Sequence, residues 1–109
     1  MSVLNNFWAD IPSFPQKEEI INEIFSHEKV RIERIVSSGQ TSPEKFWYDQ
    51  SENEWIILLS GSAEIILMAP DENITLKTGN SYFIAAHRKH KVSWTNRKES
   101  TVWLAVFFS

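Results

Sequence analysis

The sequence predicts an all-β domain, a closed barrel or a sandwich, preceded by one short helix. Two observations predict the β part. After residue 29 the apolar residues fall into short runs of four to eight, with no helix-length segment between them. Turn-forming clusters separate these runs at close intervals: Ser37-Ser38-Gly39, Ser60-Gly61-Ser62, Pro70-Asp71-Glu72-Asn73 and Gly79-Asn80. A parallel sheet is excluded because its crossovers need intervening helices. A third observation predicts the helix. Ile20, Ile21, Ile24 and Phe25 recur at helical spacing over 16–27, with Lys17, Glu18, Glu19 and Glu23 on the other side. The acidic residues also suit the positive end of a helix.

The strands follow in order. Residues 30–36 alternate in part, and 40–44 form a loop around Pro43. Residues 46–50 make a short aromatic run. Residues 55–59 and 63–68 flank Ser60-Gly61-Ser62, a clear hairpin signal. Runs at 74–77, 81–86, 91–94 and 101–108 complete about eight strands. The chain divides into an N-terminal segment, 1–29, and a β domain, 30–109. Residues 55–59 and 102–108 are apolar on both faces, whereas a strand wetted on one side alternates. They need two covers. The barrel interior supplies one, and the N-terminal segment or a second copy of the chain supplies the other, so a homodimer is expected.

At 109 residues the chain holds one core. Five Trp and seven Phe give that core a large apolar payload. There is no cysteine, which excludes disulfides and thiolate metal sites and fits a reducing, cytoplasmic setting. Residues 1–16 lack a basic start and a continuous apolar run, so no signal peptide and no membrane span is expected. The sequon Asn73-Ile74-Thr75 is therefore expected to be idle. A net charge of −3 argues against nucleic acid as a partner. The basic run from His87 to Lys91 reads either as a solvated loop or as a cationic mouth that draws in an anionic small molecule.

Side chains two apart on a strand share a face, so Glu54 points with Ile56 and Leu58, and Tyr48 and Gln50 join them if the phase holds. By the same rule His90, Val92 and Trp94 point together. A carboxylate among apolar neighbours costs several kcal/mol unless it is paired, or its pKa rises until it is neutral. His90 is the natural partner for Glu54.

Two spacings then carry a resemblance. Glu54 precedes Gly61 by seven positions, and Gly79 precedes His90 by eleven. From Tyr48 to Gly61 the chain resembles the first cupin motif, in which a His-x-His pair precedes the Glu and a Gly. Here Tyr48 and Gln50 stand in the histidine positions, or Trp47 and Asp49 in the longer spacing. From Gly79 to Trp94 it resembles the second motif, with Ala85, His87 and Trp94 replacing that motif's Pro, Gly and Asn. The likeness covers about Val30 to Phe108 and implies a cupin-like jelly-roll barrel, a double-stranded β-helix.

The same resemblance implies a divalent metal (Mn, Fe, Ni or Zn) on Glu54 and His90, with Gln50 and His87 as further ligands. If the protein is an enzyme, lyase, isomerase or dioxygenase chemistry is implied. Tyr48 or Glu54 would move a proton, and Arg88 or Lys89 would draw in a small anionic substrate. The residues leave a second reading open. Glu54 and His90 satisfy each other, Tyr48 and Gln50 complete a polar network, and the pocket is a metal-free binding or sensing module.

Overall fold

Alternation of buried and exposed residues places one face of β3 (Asn53–Ser60), β4 (Ser62–Leu67) and β8 (Thr101–Phe108) against a shared core. The computed structural model describes residues 4–109. These form β1 (Ile20–His27), β2 (Val30–Ser37), β3 (Asn53–Ser60), β4 (Ser62–Leu67), β5 (Glu72–Lys77), β6 (Ser81–Ile84), β7 (His90–Thr95) and β8 (Thr101–Phe108). Two antiparallel sheets result: a large one in the order β1-β2-β8-β3-β6, and a small one in the order β5-β4-β7. Leu58, Leu67, Leu76, Ile84, Trp103 and Phe107 pack between them. Burying a residue of this size contributes about 1.5–3 kcal/mol, which is why the inward positions carry the fold.

The predicted helix over 16–27 does not form; most of that segment is β1. Ile20 to Glu23 pair with Val36 to Glu33, the register shifts at Ile24, and Phe25 pairs with Ile32. One bulged residue in a strand moves the next apolar residue by one position, and that shift imitates helical spacing. The edge of β2 offers unpaired backbone groups, and β-branched isoleucines suit a strand, so tertiary pairing decides. The aromatic run at 46–50 is also not a full strand. It contributes a single bridge, Tyr48 with His90.

Gly61 closes the β3–β4 hairpin at φ +90°, in the left-handed region. A Cβ there would lie 2.5 Å from Thr101 Oγ1 and 2.7 Å from Thr101 Cα. Both the backbone angle and the close approach of β8 demand glycine.

On the outer face of the large sheet, Phe25, Ile32, Val106, Trp55 and Phe83 form one cross-strand row. Phe25 and Phe83 are about half exposed, at 54% and 49%, so this apolar row is only partly covered. Beside it Arg34 is buried and donates to the carbonyls of Phe7 and Ala9 and to Asn22 Oδ1. The guanidinium thus pins the N-terminal segment across part of the sheet. No helix among the described residues is long and apolar enough to cross a membrane.

Candidate functional site

Pairing across β2, β8, β3 and β6 lines up Arg31, Phe107, Glu54 and Ile84 on the inner face of the large sheet. This row borders a cavity of about 190 Å³ between the two sheets. His90, the first residue of β7, faces Glu54 from the small sheet. Its Nε2 lies 3.5 Å from Glu54 Oε1, with side-chain exposures of only 7% and 11%. Gln50 Nε2 donates to the same Oε1 at 3.0 Å. Tyr48 stacks on the His90 ring, with centroids 5.5 Å apart. Reciprocal backbone bonds hold this stack, Tyr48 N to His90 O at 2.8 Å and His90 N to Tyr48 O at 3.2 Å. Ile56, Ile65, Val92 and Trp103 supply much of the apolar wall.

The protonation of His90 follows from its contacts. Burial opposes the charged ring most strongly, but hydrogen bonding to Glu54 and to the Arg88 carbonyl, with the nearby carboxylate charge, outweighs it. Its pKa is therefore raised. Nδ1–H donates to Arg88 O at 2.9 Å, which fixes the ring and leaves Nε2 facing Glu54 and the cavity. Desolvation first, then the charges of Glu19 and Glu54, push the Tyr48 phenol above its usual range. Tyr48 thus stays neutral near pH 7.

Of the residues singled out from sequence, Tyr48, Gln50, Glu54 and His90 come together on this cavity. His87, Arg88 and Lys89 do not line it. His87 adopts φ +63°, is exposed, and bonds Asp49 Oδ1 at 2.9 Å. Arg88 turns toward the β4–β5 connection, donating to the Met68 and Pro70 carbonyls, to Tyr82 Oη and to Glu72. Lys89 is exposed. The turn from Ala85 to Lys89 directs the basic run outward, bonded by His87 N to Gln50 O and Arg88 N to Ala85 O. Trp94 is likewise outside: β7 bulges at Ser93, so Thr95 points inward and Trp94 outward.

Sequence reasoning missed Arg31, Glu33 and Glu19, all of which line the cavity. Arg31 lies over the Phe107 ring at 4.2 Å and bonds Glu33 at 3.0 Å and Glu52 at 2.9 Å. The signal was available in β2, because period two puts Arg31, Glu33 and Ile35 on one face. Glu19 precedes β1 and accepts a bond from Ser37 Oγ at 2.9 Å. Its pKa is raised, chiefly by burial.

A small antiparallel barrel with a motif glutamate and a motif histidine turned into one cavity defines a cupin. The chain belongs to the cupin family: the family's cupin-domain model matches residues 33–107. The chain is 37% identical to a crystal structure of a putative mannose-6-phosphate isomerase from Ralstonia eutropha JMP134. That likeness covers 99% of both chains with a TM-score of 0.91. A cupin superfamily protein from Desulfitobacterium hafniense DCB-2 shares the fold at 15% identity and a TM-score of 0.71, over 86% of this chain and 80% of that one. The cobalt(II) form of HppE shares it at 18% identity and a TM-score of 0.68, over 83% of this chain and 53% of that one. No curated protein matches the sequence.

Metal-bearing relatives of this fold raise the question of whether this site fits a divalent ion. The donors gathered around His90 are its imidazole nitrogen, the Glu54 carboxylate and the Gln50 amide. Among the described residues no three His, Cys, Asp or Glu side chains gather as a metal-binding group. Tyr48 and Gln50 stand where the motif carries imidazoles, and Gln50 presents an N–H toward Glu54. Transition metals favour imidazole and thiolate donors, so this set does not fit a tightly held resident ion.

Proposed function

We propose that this cupin binds a small oxygenated molecule in its barrel cavity and that Glu54 and His90 exchange protons with it. The observation that carries this reading is the buried Glu54–His90 couple, 3.5 Å apart, on the wall of the barrel cavity. Such a couple suits isomerase or lyase chemistry next to a carbonyl group. The Glu54 carboxylate takes a proton from the carbon beside the carbonyl, while His90 Nε2–H donates its proton to the carbonyl oxygen. The product of that step is an enol. Isomerisation is completed when Glu54 returns its proton to the neighbouring carbon and His90 recovers one from the other hydroxyl. Tyr48, held neutral, supplies an additional donor at the cavity mouth.

Size limits the ligand. A cavity of about 150 Å³ holds a benzene-sized molecule, so this one suits roughly eight non-hydrogen atoms. The 37% identical relative, described as a putative mannose-6-phosphate isomerase, supports the reaction type. A hexose phosphate, with roughly twice as many atoms, would leave about half of itself outside such a cavity. A metal-free binding or sensing module is the second reading. It is favoured by the bonds Glu54 already receives from Gln50 and His90. In either case the partly covered row from Phe25 to Phe83 supports pairing with a second copy of the chain.

Thermal-shift screening of small hydroxycarbonyl compounds against the parent and Glu54→Gln tests the proposal. Compounds that stabilise only the parent are then followed by NMR in D2O. Deuterium entering at the carbon next to the carbonyl supports proton transfer. Stabilisation without exchange leaves the binding module, and no stabilisation by any compound sinks the ligand-cavity reading.

A further inference from the structure

The ionisable groups that line the cavity do not balance. Three carboxylates, Glu19, Glu33 and Glu54, face one guanidinium, Arg31, and one imidazole, His90. Both cations already have anionic partners. Arg31 is clamped between Glu33 at 3.0 Å and Glu52 at 2.9 Å, and His90 faces Glu54. Glu19 differs from the others. Its side-chain partner is the Ser37 hydroxyl, and it has no cationic partner within salt-bridge distance among the described residues. It borders the same volume as Tyr48.

A phosphate or carboxylate entering this space would meet excess negative charge and no free cationic donor. In a cavity partly shielded from water, each carboxylate without a cationic partner repels an anion more strongly than it would in bulk solvent. The cations of the basic run offer no relief. Arg88 is bonded to Glu72 at 2.7 Å and points away from the cavity, and Lys89 is exposed. An ammonium group, in contrast, would meet the carboxylates of Glu19 and Glu54, which attract an organic cation.

We infer that the cavity selects a small ligand bearing an ammonium group and rejects phosphates and carboxylates. This rests on the proposal that the cavity is a ligand site, and it names the ligand's charge class. The inference departs from what the name of the 37% identical relative would suggest, because a sugar phosphate is a dianion at neutral pH. The high pKa of the Tyr48 phenol, caused in part by Glu19 and Glu54, is the same negative field acting on a resident group.

The test uses three probes of nearly equal shape: 1-amino-2-propanol, 1,2-propanediol and lactate. Each is titrated into the full chain near pH 7 and followed by amide chemical shifts of β2, β3 and β7. The expected order is amine tighter than diol and diol tighter than lactate, with the amine at least about tenfold tighter than lactate, a difference of roughly 1.4 kcal/mol. Glu19→Gln keeps a hydrogen-bonding partner for Ser37 and is expected to collapse the amine-to-diol preference. Lactate binding as tightly as the amine, or an amine preference unchanged in Glu19→Gln, overturns the charge inference while leaving the cavity reading intact. Failure of all three probes to shift cavity resonances overturns both.

Discussion

If His90 carries a proton because Glu54 faces it, their mutual stabilisation must depend on pH in a set direction. The folded-state pKa of His90 is raised, so its contribution is fully present below the unfolded value and is lost as pH rises through the folded value. The gross attraction at 3.5 Å with an effective dielectric of about 20 is about 5 kcal/mol. Desolvating two ionised groups removes several kcal/mol of this, leaving a net coupling of about 1–2 kcal/mol. With side chains only 7% and 11% exposed, solvent screens the pair little. The assay is a double-mutant cycle in urea with Glu54→Gln and His90→Gln, run at about pH 5.5 and about pH 9, on either side of the free imidazole value. Glu19, Arg31 and Tyr48 also face the cavity, but their titration enters every corner of the cycle and cancels to first order. A coupling energy near 1–2 kcal/mol at the lower pH that falls toward zero at the higher one is expected. Equal coupling at both pH values would refute the account, because a neutral contact would then explain the pair.

Three further outcomes follow from the geometry. Gly79→Ala meets nothing within 4 Å and strains only a backbone at φ +91°, which costs about 1–2 kcal/mol in urea unfolding. Gly61→Ala adds the collision with Thr101 to the same strain and is expected to cost about 1–3 kcal/mol more; equal losses would show that the hairpin relaxes freely. Arg88→Ala removes bonds to Met68 O, Pro70 O, Tyr82 and Glu72, so it is expected to lower Tm by several degrees without changing ligand affinity, while Lys89→Ala changes neither. Loss of ligand binding with an unchanged Tm in either variant would return the basic run to the site. Protein supplied with Mn, Fe, Ni and Zn and then desalted is expected to retain well below one equivalent; stoichiometric retention that disappears in His90→Ala would restore the metal reading.

The strands were legible from sequence where a strict period of two holds, as in β3, whose inward residues Glu54, Ile56 and Leu58 are all buried. Reading failed where one extra residue breaks the period. The bulge at Ile24 imitated a helix, and the bulge at Ser93 sent Trp94 outward and Thr95 inward. The site was half legible for the same reason. Tyr48, Gln50, Glu54 and His90 lie on segments whose phase survives to the cavity. The direction of His87, Arg88 and Lys89 depends on a turn with a positive φ at His87, and no spacing rule records it. Arg31 could have been found by alternation alone, but its neutralisation by Glu33 and Glu52 joins two segments far apart in sequence.

Glu54 belongs to β3 of the large sheet and His90 to β7 of the small one, so their pair spans the interior and ties the two sheets together. A ligand that enters between them must replace that link. If the pair contributes about 1–2 kcal/mol, an inserted group that bonds only one partner forfeits roughly a factor of ten in affinity. A ligand that accepts from His90 while giving a proton to Glu54 forfeits nothing. On the proposed reading, a molecule that presents an acceptor to His90 and a polar hydrogen to Glu54 at once keeps the link between the sheets.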